Sequence, residues 1–198
     1  MSKTFGLDHI RAAAAAGQGD FGENRVQEAL QKMAGSADLL VRWHLIGTLQ
    51  SNKVRKAAES FDWIHSVDSL HLLQRLEEAA SATGTRPTLL VQVDLAGETT
   101  KHGAQPSAVS VIFEAARACH AVRVVGLMVL PPWSDDPEET RPYFRRLRQL
   151  RDHLKTSGVP ADMLQELSMG MSHDFEVAIQ EGATIVRIGT AIFGKRTA

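Results

Sequence analysis

The sequence predicts an α/β fold: a single-domain (β/α)8 barrel of the TIM type whose first strand is truncated to a stub. Three observations carry this. Apolar, β-branched runs of strand length alternate with amphipathic stretches at spacings of roughly 20 to 35 residues, as linked βαβ units require. The strand-length runs are apolar almost throughout, as parallel strands buried on both faces are. No repeat, low-complexity tract or Pro/Gly linker divides the chain, so residues 1–198 read as one barrel domain.

The elements follow in order. A stub ending at Thr4 stands where the first strand would end, and "GDFGE" (19–23) is a short second candidate. Asn24 is placed to cap a helix over 24–34, with Gln27 in capping-box position. "WHLIG" (43–47) and "WIHSV" (63–67) are strands, with Ser51 opening the helix between them. Over 69–83, Leu72, Leu73, Leu76, Ala79 and Ala80 recur at helical spacing, opposite Gln74, Arg75, Glu77 and Glu78, and Gly84 supplies the stop. "TLLVQVDL" (88–95) and "VRVVGLMVL" (122–130) flank a helix whose end carries Cys119 in "EAARACHAV". The helix of 137–157 repeats Phe144, Leu147, Leu150 and Leu154, places Glu138 and Glu139 in its first turn, and ends at Gly158 and Pro160. Its Arg145, Arg146, Arg148 and Arg151 read as a solvated face. "LQELS" (164–168), a helix from Ser172, and "TIVRIG" (184–189) complete the pattern.

Composition narrows the function classes. With 22 basic and 23 acidic side chains, the chain lacks the positive field that duplex nucleic acid or an anionic membrane would attract, so a small ligand is expected. Cys119 is the only cysteine, which excludes an internal disulfide, and its helical setting suits a packed thiol. No basic segment followed by an apolar stretch opens the sequence and no run spans a membrane, so a cytoplasmic protein is expected. No His/Cys/Asp set has metal-ligand spacing, and neither a G-x-S-x-G elbow nor a Walker loop is present.

Chemistry concentrates in "LSMGMSHDFEVAIQEGATIVRIGTAIFG" (167–194). In a barrel, the loops after strands seven and eight gather free N–H groups and hydroxyls, a frequent phosphate site. Gly189 and Gly194 either serve such a site or merely turn the chain. Alternation points Arg187 away from Val186 and Ile188. A guanidinium there needs an accepting partner, which is a ligand ring nitrogen, a ligand phosphate or a carboxylate. His44 and His65 read as core histidines or as proton shuttles. Asp94, Glu98 and Lys101 lie near a strand end where ligand or partner contacts occur.

Five blocks carry a resemblance: "SKT" (2–4), "FGENRVQEA" (21–29), "WHLIGTLQSNK" (43–53), "GLMVLPP" (126–132) and the stretch 167–194. Through them the chain resembles, over essentially its whole length, the pyridoxal phosphate homeostasis protein family (YggS in bacteria, PROSC in animals), related to the N-terminal barrel of alanine racemase. The resemblance implies that pyridoxal 5′-phosphate (PLP) is held as an aldimine on Lys3. It implies a phosphate site at Ser168, Met169, Gly189 and Thr190, Arg187 opposite the pyridine nitrogen, and Asn24 beside the ring near its hydroxyl. Family members carry a helix and a full first strand ahead of the lysine. Two residues stand there in this chain, so unpaired edges are expected on the neighbouring strands.

The resemblance further implies a monomeric, non-catalytic PLP carrier that buffers the free aldehyde and hands it to apo-enzymes. A PLP-dependent racemase is the alternative. An arginine at the ring nitrogen weakens the electron sink, and the second base of a racemase is a tyrosine. The one tyrosine, Tyr143, falls in the 137–157 helix. A third alternative is a sugar-phosphate isomerase or aldolase without PLP.

Overall fold

The computed structural model describes residues 1–97 and 102–194. Seven parallel strands lie side by side in sequence order: β1 (Asp20–Glu23), β2 (Arg42–Leu45), β3 (Trp63–Val67), β4 (Thr88–Gln92), β5 (Arg123–Met128), β6 (Glu166–Met171) and β7 (Ile185–Arg187). The helices are α1 (Leu7–Ala15), α2 (Val26–Gly35), α3 (Val54–Ser60), α4 (Leu70–Thr83), α5 (Pro106–Ala116), α6 (Arg141–Thr156), α7 (Phe175–Gln180) and the short α8 (Thr190–Phe193). The sheet curls into a nearly closed barrel with one seam, between β1 and β7. Residues 1–4 do not form the eighth strand; they bridge the seam at one point. The Met1 amine donates to Ile188 O at 2.6 Å, and Ser2 N–H donates to Gly22 O at 2.9 Å.

Two layers of apolar side chains hold the barrel. Outward-facing Leu89, Val91, Leu127 and Leu167 pack against Leu73 and Leu76 of α4, Ile112 and Phe113 of α5, and Phe144 and Leu147 of α6, all buried. Inside the barrel Leu90, Val125 and Met128 make a smaller cluster with Trp63 and Ile185. The two-residue period of a strand therefore assigns each site residue to the lumen or to the helical layer.

Local signals explain most boundaries. Ser69 caps α4 by accepting the Leu72 N–H, and Gly84 ends it in the left-handed conformation at φ +70°. Three expectations shift. Asn24 does not cap α2, which starts from Arg25 in extended geometry. Ser172 does not open α7, which begins at Phe175. Instead its hydroxyl accepts the Gly189 and Ala191 N–H groups at 2.9 and 3.4 Å, tying down the start of α8. The arginine face of α6 is no mere solvated surface: Arg141, Arg145 and Arg148 all converge on the buried Glu181 at the end of α7, and Arg146 donates to Leu95 O. Cys119 lies in a turn beyond α5, where burial pushes its thiol up to about 11.

Candidate functional site

At the C-terminal ends of the strands a cavity of about 500 Å³ opens between the chain's two ends. Lys3 and Asn24 stand on one wall, Gly189 and Thr190 on another, and Arg187 forms the floor. Five of the seven residues expected at the site are thus brought together. Ser168 and Met169 are not. The reason is the length of β6, which continues past Ser168 to Met171, so Met171 and Ser172 reach the mouth instead. Within β6 the alternation sends Met169 outward into the helical core and Ser168 into the barrel lumen, both fully buried.

Lys3 is half-buried on a tight turn closed by the Phe5 N–H to Ser2 O bond of 3.0 Å. Thr4 follows it at φ +72°, a left-handed conformation costly for a β-branched residue. Surrounding bonds hold it there. Thr4 N–H donates to Glu28 Oε1 at 2.8 Å, and Ser2 Oγ donates to Glu23 Oε1 at 2.6 Å. Lys32 Nζ, buried beneath the turn, donates to Ser2 O, Glu23 Oε1 and Glu28 Oε1 at 3.0, 2.8 and 2.7 Å. Glu23 is completely buried. Its burial pushes the carboxyl up against the opposing pull of Lys32 and Ser2, whereas Lys32 holds the more exposed Glu28 down. Neither Glu23 nor Lys32 was singled out by the sequence reading, although Glu23 lies inside "FGENRVQEA" and Lys32 follows that block by three residues.

Arg187 is buried, and burial lowers it to about 10, the nearby Asp174 acting in the opposite sense. It therefore stays charged at neutral pH. Among the described residues its hydrogen-bond partners are Ser168 Oγ at 2.8 Å and Val129 O at 2.8 Å, and Asp174 acts on it only through space. Of the three partners the sequence left open, the protein supplies none directly. Five N–H donors against two acceptors leave capacity facing the cavity.

Asn24, which lines the cavity, also carries an unmet acceptor. Asn24 Oδ1 is buried and has no hydrogen-bond partner. Its backbone is fixed by close approach to Gly47, where a Cβ would overlap the Asn24 carbonyl. At the opposite wall, two backbone N–H groups aim at one oxygen, Ser172 Oγ. Ser172 is thus a site residue that sequence reasoning assigned to a helix start. The donors and acceptors suit an anionic ligand bearing a hydroxyl and a further acceptor.

Below Arg187 the lumen contains His65, completely buried, with Nδ1 2.9 Å from Ser168 Oγ and Nε2 3.0 Å from His44 Nδ1. His44 Nε2 lies 2.9 Å from Asp20 Oδ1. Burial lowers both imidazoles, His65 well below the ordinary range. A second cavity of about 480 Å³ lies on this side of Arg187, along the seam.

Other candidates fall elsewhere. Tyr143 sits on α6, packed against the outer core, and lines neither of these cavities. Asp94 accepts the Ala96 and Gly97 N–H groups and Gln105 Nε2, shaping its own loop. Glu98 and Lys101 lie outside the described residues. Among the described residues no group of three His, Cys, Asp or Glu is placed to hold a metal ion, and no helix is long and apolar enough to cross a membrane.

Comparison with known proteins shows the family and agrees with the fold. Residues 2–197 match the family described as alanine racemase, N-terminal domain. The chain is 46% identical over 195 residues to the pyridoxal phosphate homeostasis protein of Aquifex aeolicus, covering 98% of this chain and 85% of that protein. PipY of Synechococcus elongatus, whose structure has been solved with PLP bound, superimposes with a TM-score of 0.91 at 45% identity, over 98% of this chain and 90% of PipY. The alanine racemase of Clostridium difficile shares the fold alone, with a TM-score of 0.73 at 18% identity over 91% of this chain and 46% of the racemase. With the family match over residues 2–197 and relatives of this identity covered nearly end to end, the chain belongs to the pyridoxal phosphate homeostasis protein family.

Proposed function

We propose that this chain binds PLP in the cavity between Lys3 and the turns after β6 and β7, and that it works in the cytoplasm as a monomeric PLP carrier rather than as a catalyst. The observation that carries the reading is the meeting of a primary amine, an unmet buried acceptor, a guanidinium with no directly bonded carboxylate and a serine hydroxyl held by two backbone N–H groups around one cavity. PLP supplies an electrophilic aldehyde that a primary amine captures reversibly. Lys3 presents that amine from its turn. Thr190 and the Ser172 hydroxyl, whose oxygen accepts the Gly189 and Ala191 N–H groups and leaves its proton to donate, face a phosphate beside Gly189, and Asn24 Oδ1 is placed for the ring hydroxyl. These replace Ser168 and Met169 in the phosphate role.

Arg187 favours storage over catalysis. It has only donors to offer, so a ring nitrogen beside it acts as acceptor and stays unprotonated, which weakens electron withdrawal by the ring. A second base for racemisation has no candidate tyrosine in the cavity, Tyr143 being on α6. Transfer to apo PLP-dependent enzymes fits a site whose ligand is held by a reversible bond near the surface.

The test is spectroscopic. Purified protein mixed with PLP is expected to develop a visible absorption band, and borohydride is expected to fix the label on Lys3. Lys3→Ala should lose both, and a band retained in that variant overturns the assignment of Lys3. Deuterium appearing at the α-carbon of any amino acid in a panel would overturn the carrier reading. Reactivation of an apo-enzyme by the loaded protein, faster than by the same free PLP, would support it.

A further inference from the structure

The lumen beneath the cavity holds a line of polar side chains whose hydrogen positions can be worked out from its two ends. Arg187 is donor-only, so Ser168 Oγ accepts from Nη1. At the other end Asp20 is a carboxylate, held down by Arg42 and His44 against burial, so it accepts from His44 Nε2–H. A neutral His44 then has a bare Nδ1, which can only accept from His65 Nε2–H at 3.0 Å. Neutral His65 in turn has a bare Nδ1, which accepts the Ser168 hydroxyl proton at 2.9 Å. Every bond points the same way, and with both rings neutral no other arrangement satisfies all four contacts.

We propose that His65, Ser168 and His44 are positioning residues for Arg187, forming a one-way relay Arg187→Ser168→His65→His44→Asp20 that crosses the barrel and fixes both histidines as neutral Nε2–H tautomers. The relay turns Ser168 from a phosphate ligand into the anchor of the arginine. It also rules His65 out as a shuttle to the cavity, because its Nδ1 is committed to Ser168. The geometry is supported on all sides. His65 on β3 faces His44 from β2, Ser168 from β6 and the Arg187 charge from β7. His44 faces Asp20 from β1 and His65 from β3, with Arg42 and Asp62 acting at longer range, and stacks on Trp63 with ring centroids 5.4 Å apart. At His65 burial and the Arg187 charge act together against an imidazolium, whereas at His44 burial prevails over the opposing pull of Asp20. Charging His44 would put a proton on its Nδ1 and force His65 to accept, reversing every bond up to Ser168.

The tautomers are read directly by nitrogen-15 NMR of the histidine rings in the protein without added PLP. The expected result at neutral pH is a proton on Nε2 of both rings, titrating below the range of an ordinary histidine. A proton on Nδ1 of His65, or a charged His65 at neutral pH, overturns the relay. This measurement needs no variant.

The link to the ligand rests on the reading that Arg187 meets a ring nitrogen, and is tested separately. With nitrogen-15 PLP bound, Ser168→Ala is expected to move the ring-nitrogen resonance and to weaken binding by about tenfold, as loss of a hydrogen bond to a charged group does. An unmoved resonance overturns the positioning role, since a merely structural change would not be reported at that atom. Wild-type protein that shows both tautomers but no visible band overturns the PLP reading and leaves the relay intact.

Discussion

Lys3 owes its place to a charge it does not carry. Glu23 and Lys32 lie buried 2.8 Å apart beneath the turn, and Lys32 reaches the Ser2 carbonyl next to the lysine. Removing one member of a buried pair leaves the other uncompensated, typically at a cost of about 3–5 kcal/mol. Lys32→Met is therefore expected to lower stability by about that amount in urea denaturation and to reduce borohydride labelling of Lys3, although Lys32 lines neither cavity. The neutral histidines make a second prediction at this scale. An unfolded histidine takes up a proton near pH 6.5, whereas His44 and His65 resist protonation when folded. The unfolded state thus binds more protons as the pH falls, and stability drops by up to about 1.4 kcal/mol per pH unit for each ring. The urea midpoint should decline between about pH 7.5 and 5.5, and His65→Gln should flatten that decline. Single residues were legible in the sequence where a motif named them, as with Lys3 and Arg187. The partners that hold them were not, because Ser168 and His65 lie 103 positions apart and no local pattern announces such a contact.

Strand ends decide which residues reach the cavity, and these were the least legible feature. The sequence places all seven strands, but ends β6 at Ser168, where the apolar run gives way to "SMGMS". The strand continues because Gly170 adopts φ +91° and lets the chain lie against α7, where a Cβ would come within 2.6 Å of Ala178 Cβ. That irregularity shifts the pairing register between Ser168 and Met171, and delivers Ser172 to the start of α8. Gly170→Ala combines a disfavoured backbone with overpacking. It should cost about 1–3 kcal/mol and weaken PLP binding through displacement of Ser172, measurable by titration of the visible band. Propensity cannot reveal this, since a glycine in a strand reads equally well as an ending or as a bulge.

At the scale of the molecule, the barrel is continuous from β1 to β7 and open between them, with residues 1 and 2 spanning the gap at one level. Strands β3 to β5 have neighbours on both sides and a dense outer core. Amide hydrogen exchange is expected to be slowest there and faster along β7, whose outer edge lacks a strand partner among the described residues. The fold class was legible because alternation of strand and helix is a property of the whole chain, repeated often enough to survive errors at any one boundary. The seam bond from Met1 to Ile188 joins residues 187 positions apart. A ribosome releases the front of a chain long before the back. On the proposed reading, a growing polypeptide therefore has Lys3 in solution while the turns after β6 and β7 that would face the phosphate do not yet exist. On that reading the cavity forms only once β7 is made, and a product cut short before its last strand would lack the walls supplied by Arg187, Gly189 and Thr190.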